Sequence, residues 1–259
     1  EWFGRQVELT SQRIELEMER GKSVLAGFRG FFSVHGTKVE RSEFTKYTLD
    51  TGLRKDFPEI YGFSYVVKAD DVVLREVRSK MSGELNKLGE ESKMNSEIIA
   101  SPDHYIVNYL TLKSSKIPDG TYGFDLSTDP VRVAALTKAQ DGGEIVASQT
   151  ITIQGAGKPG FIVALPIYDG GGVPGTVEER REKILGFVNA VYVYEDIFNY
   201  IFPSEVHNGS ETHIYIDGDL IYDSIESEGH MEEGAMKKTK KSFQVFGREW
   251  VVELSALPT

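Results

Sequence analysis

The residues best suited to chemistry gather between Tyr122 and Gly143, in the run YGFDLSTDPVRVAALTKAQDGG. Ser127, Thr128 and Asp129 are helix-capping types, Pro130 suits the first helical position, and Arg132 then falls in the first helical turn. The amino end of a helix carries partial positive charge, so a guanidinium is disfavoured there unless an anion offsets it. Its planar fork of donors matches a carboxylate. Two readings of Arg132 follow: a salt bridge within the protein, or a contact to an anionic group on a small ligand.

The other patterns point away from catalysis. Gly155, Gly157 and Gly160 spell GxGxxG after a strand-like segment, yet FIVALPIY follows where a dinucleotide site needs a helix. The pattern reads as a hairpin loop. Lys158 precedes Pro159 rather than a hydroxyl residue, so the phosphate-loop pattern fails as well. His35, His104, His207, His213 and His230 are dispersed without metal-ligand spacing. No metal or cofactor is therefore expected, although a site gathered from distant segments stays open. Asp217-Gly218-Asp219 reads as hairpin-turn chemistry, and Asn208-Gly209-Ser210 is a glycosylation triplet of a kind common by chance. The pairs Asp70/Asp71 and Glu178/Glu179 sit at helix starts or polar faces, and nothing brings a base and its partner to one cleft. The expectation is a protein that binds rather than reacts, with no catalytic residue.

Composition narrows the partners. The chain has 259 residues, 29 basic against 40 acidic, for a formal charge of −11, which disfavours nucleic acid. The most apolar run, GFIVALPIY, is too short to span a bilayer. The chain contains no cysteine, which excludes a disulfide framework and thiol catalysis. A start at Glu1 reads as a fragment excised from something longer.

Around the central run, apolar periodicity supplies the elements. Phe3, Val7, Thr10, Ile14, Met18, Gly21, Leu25, Phe28 and Phe32 recur at steps of three or four, predicting one helix over residues 1 to about 35. Such a helix, roughly 50 Å long, serves either as a core helix or as a stalk that pairs with a second copy. A short helix is expected after Ser42, a strand in IYGFSYVV, and a helix after Asp70 with Val73, Val77, Met81, Leu85 and Leu88 inward. Further strands are read at His104–Leu112, in EIVASQTITI, in GFIVALPIY and in LGFVNAVYVY, then a helix from Glu195 to Phe202 ended by Pro203. Hairpins are expected at Asp217-Gly218 and Phe246-Gly247, the latter preceded by the basic run MKKTKKS, read as a solvated edge. The fold class is α+β, with two antiparallel sheets flanked by short helices.

SEFTKY followed by DFPEIYGFSYV, the central run, GFIVALPIY, and EERREKILGFVNAVYVYEDI occur in an order that resembles the CHASE domain. That family is an extracytoplasmic sensory module of transmembrane histidine kinases and nucleotide cyclases. The resemblance covers most of residues 42 to 202. It implies a stalk and dimerisation helix over 1–41, a membrane-distal PAS-like ligand-binding unit over 42–202, and a membrane-proximal PAS-like unit over 203–259. It also implies a homodimer anchored by flanking membrane helices and a small-molecule ligand. Plant cytokinin receptors are distant relatives, and the position of their adenine-recognising aspartate is here Arg132, which donates only. Carried over as pocket candidates are Leu126, Gln154, Ala164, Phe187 and Ala190, with Tyr122, Phe124 and Asp125 from the central run. For the aromatics the structural reading is core packing. A dimeric spacer that meets a protein partner and has no ligand is the alternative function, with an enzyme behind both.

Overall fold

The computed structural model describes residues 2–53, 55–97, 99–114, 116–202, 210–224 and 238–256. Pro203, His207, Asn208, Gly209 and His230 lie outside them. The chain forms two compact units, one of residues 21–193 and one of residues 1–20 with 194–259. Helix α1 (Trp2–His35) contributes to both. Its expected face is buried at Val7, Ile14, Met18, Leu25, Phe28 and Phe32.

The larger unit is an antiparallel sheet in the order β2-β1-β6-β5-β3, with β4 also paired to β5. Its strands are β1 (Ile60–Ala69), β2 (His104–Leu112), β3 (Val146–Ala147), β4 (Ile151–Ile153), β5 (Lys158–Tyr168) and β6 (Ile184–Val193). Side chains alternate between the two faces of a strand. One face of the sheet carries Phe161 and Tyr192, whose rings stack at 5.0 Å, and packs Tyr192 against Gly21 of α1. The other carries Ile162, Ala164, Phe187, Val191 and Val193 into the main core. Helices α2 (Arg41–Asp50), α3 (Asp71–Leu88) and α4 (Pro130–Gly142) flank this sheet.

Two local readings change, and one helix is added. EIVASQTITI is two short strands, because the Ser148 backbone donates to the Ile162 carbonyl while its hydroxyl accepts from the Ile162 amide, breaking the ladder. Helix α3 buries Leu74, Met81 and Leu85, while Val73 and Leu88 are exposed, so its inward face is turned from the expected one. TVEERREK contains helix α5 (Val177–Lys183), started by a reciprocal cap between Thr176 and Glu179. That T-x-x-E spacing was the available signal.

The GxGxxG segment is the β4–β5 hairpin: the Ala156 and Gly157 amides donate to the Ile153 carbonyl. Gly160 is needed for close strand approach, since a Cβ there would stand 2.0 Å from the Tyr192 carbonyl oxygen.

The smaller unit is a four-stranded sheet in the order β8-β7-β10-β9: β7 (Ser210–Ile216), β8 (Asp219–Asp223), β9 (Lys238–Val245) and β10 (Arg248–Ala256). Both expected hairpin turns form, with Asp217 and Phe246 at φ of 52° and 51° ahead of their glycines. From Lys238 on, the basic run belongs to edge strand β9, where lysines discourage further strand pairing, and Met236 and Lys237 lie outside the described residues. Helix α6 (Tyr194–Ile201) packs Phe198 on Tyr222 and Trp250. Buried Arg248 donates to Asp217 at 2.7 Å and to the Tyr194 hydroxyl at 3.0 Å.

Candidate functional site

The central run folds as its capping residues dictate. Asp125 leads a short 3-10 turn (Leu126–Thr128), and its carboxylate accepts from the Ser127 amide at 3.0 Å. Asp129 then caps α4 by accepting from the Val131 amide at 2.9 Å, with Pro130 in the first position. Gly143 ends the helix at φ of 69°, a left-handed conformation that suits glycine.

Arg132 is buried, with 7% of its surface exposed. Its guanidinium donates to the Thr152 carbonyl at 2.7 Å, reaches Asp129 Oδ2 at 3.2 Å, and lies 5.9 Å from the centre of the Phe124 ring. Burial pulls its pKa below the ordinary arginine value, and Asp129 opposes that shift. An arginine remains charged under such a shift. The salt bridge foreseen as one reading thus exists, and it leaves the guanidinium on the wall of a cavity.

That cavity, about 60 Å³, lies in the larger unit between the core face of the sheet and the start of α4. Arg132, Leu126, Phe124 and Gln154 line it, as do Ser64, Thr121 and Asn189 among the polar groups and Val107, Leu110, Ile162 and Val191 among the apolar ones. Asn189 is 1% exposed and its side-chain carbonyl oxygen is buried without a hydrogen-bond partner among the described residues. An unsatisfied buried acceptor costs about 1–3 kcal/mol. Asn189 lines the same cavity as Arg132, so that lining holds one cationic donor and one acceptor without a partner among the described residues. Sequence reasoning missed Asn189. The signal was a lone amide inside the apolar run GFVNAVYV.

The remaining expected residues stand elsewhere. Ala164 and Phe187 are on the core face but packed within it, Phe187 with its ring 6.0 Å from Tyr105. Ala190 alternates with Asn189 and Val191, so its side chain points to the opposite face of β6. Tyr122 lies in the core under the Arg41 guanidinium, 4.2 Å from its ring centre. Asp125 is structural in its contacts, accepting from the Tyr105 and Ser127 amides at 3.0 Å each and meeting His104 Nδ1 at 2.6 Å. Burial alone would raise its pKa, but the Ser127 amide, His104 and the Tyr105 amide outweigh it and hold the carboxyl below the ordinary aspartate value.

The CHASE-domain family profile matches residues 37–231, most of the chain. The chain belongs to the CHASE domain family. No curated protein sequence matches it. Among solved structures, it is similar to an extracellular ligand-binding receptor from Desulfohalobium retbaense, with 15% identity and a TM-score of 0.63 over 98% of this chain and 40% of that one. The periplasmic sensory domain of the Campylobacter jejuni chemoreceptor Tlp1 gives 13% identity and a TM-score of 0.62 over 98% of this chain and 93% of that one. The ligand-binding domain of the Pseudomonas aeruginosa amino acid chemoreceptor PctC, in complex with GABA, gives 12% identity and 0.55 over 99% of this chain and 100% of that one. At such identities the likeness establishes the fold: α+β, with a long first helix and PAS-like antiparallel sheets. This CHASE domain is a sensory module, as its family is.

Proposed function

We propose that this CHASE domain binds a small organic molecule in the cavity beside α4, with an anionic group at Arg132 and a donor group at Asn189. The observation that carries this reading is that a buried guanidinium and a residue whose buried carbonyl has no partner among the described residues both line one cavity. A zwitterion such as an amino acid offers both groups. The PctC domain, of the same fold, is in complex with GABA, which supports that class. An arginine cannot accept from a purine amino group, which argues against cytokinins.

At about 60 Å³ the cavity is smaller than the ~150 Å³ that admits a benzene ring. Binding therefore requires Arg132 and Phe124 to give way, and a ligand that favours the opened arrangement shifts the population toward it. In the intact protein, flanking membrane helices hold the module outside the membrane, the larger unit distal and the smaller proximal. A cytoplasmic kinase or cyclase domain reads the shift. Helix α1 supplies the route, since its residues belong to both units.

The module acts as a homodimer. Trp2, Leu9 and Leu16 are exposed and spaced by seven residues on the first part of α1, a row that a second copy of the helix would cover.

Calorimetry with amino acids, other organic acids and cytokinins, on the wild type and Arg132→Ala, tests the reading. Saturable binding of an acid, lost in the variant, is expected. Undiminished binding in the variant removes Arg132 from the site. A wild type that binds none of them favours the spacer that contacts a protein partner.

A further inference from the structure

The smaller sheet holds a second group of polar residues, remote in sequence from the cavity wall. Strand register sets His213 of β7 opposite Asp223 of β8 on one side and Glu253 of β10 on the other. Glu211 lies two residues before His213 and so shares its face. His213 Nε2 stands 3.4 Å from Glu211 Oε1 and 3.7 Å from Asp223 Oδ2, while Nδ1 stands 3.9 Å from Glu253 Oε1. Donor atoms of Glu211, His213 and Asp223 all fall within 4.8 Å of one another.

These spacings are long for hydrogen bonds. They are close to the edge of a tetrahedron around zinc, about 3.3–3.4 Å for bonds of ~2.0–2.1 Å. His213 is 9% exposed, and its Nδ1, on the side of Glu253, has no hydrogen-bond partner among the described residues. Three carboxylates surround it, and Lys238 of β9 reaches the group at Glu253, 3.4 Å away. A cation between Nε2 and the carboxylates of Glu211 and Asp223 would be held by three protein donors. Glu253 would then accept from Nδ1, the outer-shell arrangement that fixes the orientation of a metal-bound imidazole.

We propose that Glu211, His213 and Asp223 form a binding site for a divalent transition-metal cation, with Glu253 orienting the imidazole. Zinc fits one imidazole and two carboxylates, whereas calcium and magnesium favour oxygen donors alone. Three protein ligands leave a fourth position for water or an external donor. Bound metal would join β7 to β8 by a link other than backbone pairing. The inference is independent of the cavity and its ligand.

The test is titration of the chain, free of any histidine tag and stripped with chelator, with Zn²⁺, Mn²⁺ and Ca²⁺, followed by calorimetry and thermal unfolding. One equivalent of Zn²⁺ is expected to bind and to raise the melting temperature, since a ligand held by the folded state alone stabilises it. His213→Gln and Asp223→Asn should each weaken Zn²⁺ binding at least about tenfold, and Glu253→Gln by a smaller factor. Circular dichroism distinguishes lost binding from lost folding, and Asp223→Asn, at a strand end, is the milder change. Absence of saturable Zn²⁺ binding by the wild type would overturn the site. So would full Zn²⁺ affinity in folded Asp223→Asn, or Ca²⁺ binding as tight as Zn²⁺.

Discussion

His104 Nδ1 and Asp125 Oδ2 meet 2.6 Å apart in the core of the larger unit. The pair joins the first residue of β2 to the residue that leads the turn before α4. Val107 and Leu126, on either side of that junction, both line the cavity. The carboxylate thus sets the position of the helix that carries Arg132.

Asp125→Ala should therefore lose about 1.5–3 kcal/mol in denaturant unfolding, the cost of removing a charged acceptor from buried donors. A pH effect follows from the same group. Its pKa is lowered by folding, so its contribution is full above the unfolded value of about 3.9 and is lost as pH falls through the folded one. Unfolding free energy measured between pH 6 and 2, as an order-of-magnitude window, should fall less steeply in the variant. Equal slopes would show that Asp125 does not carry the effect.

Asn189→Leu replaces a buried amide whose carbonyl has no partner among the described residues with an apolar group of the same branching, next to a cavity that takes up its larger volume. Stability should be unchanged or rise by up to about 1 kcal/mol. Affinity for the cavity ligand should drop at least tenfold, about 1.4 kcal/mol. A variant that binds as tightly as wild type would take Asn189 out of recognition.

Gly160→Val puts a side chain where the Tyr192 carbonyl already stands 2.0 Å from the Cβ position. The β5–β6 ladder must part locally, and a loss of at least about 1–3 kcal/mol is expected in chemical denaturation. Gly157→Val, where a Cβ meets nothing within 4 Å but φ is +64°, tests conformational strain alone. It should cost less.

Leu16→Glu alters an exposed position, 60% accessible, and should change the stability of the single chain by no more than about 0.5 kcal/mol. If α1 pairs with a second copy, sedimentation should show the wild-type dimer weakened toward monomer. An unchanged dimer would place the interface elsewhere.

Much of the architecture is local chemistry that the chain states directly. Capping types before Pro130, the Asp217-Gly218 and Phe246-Gly247 turns, and the three-to-four spacing along α1 each act within a few residues, so they predicted the elements, while the family came from the resemblance of four segments in order. Where neighbours in space decide, the sequence was silent or misleading. Ser148 leaves the ladder because Ile162 offers both partners, and Ala190 faces away from the cavity because β6 is registered by β1 and β5. Arg132 announced itself as a misplaced cation, but its contacts with Thr152 and Asp129 come from a hairpin some twenty residues on and from its own cap. Asn189 and His213 show the limit most plainly. Asn189 is one polar letter in an apolar run, and only the packing of α4 on its sheet makes it line a cavity with Arg132; His213 has Glu211 beside it in sequence, but only strand pairing brings Asp223 and Glu253.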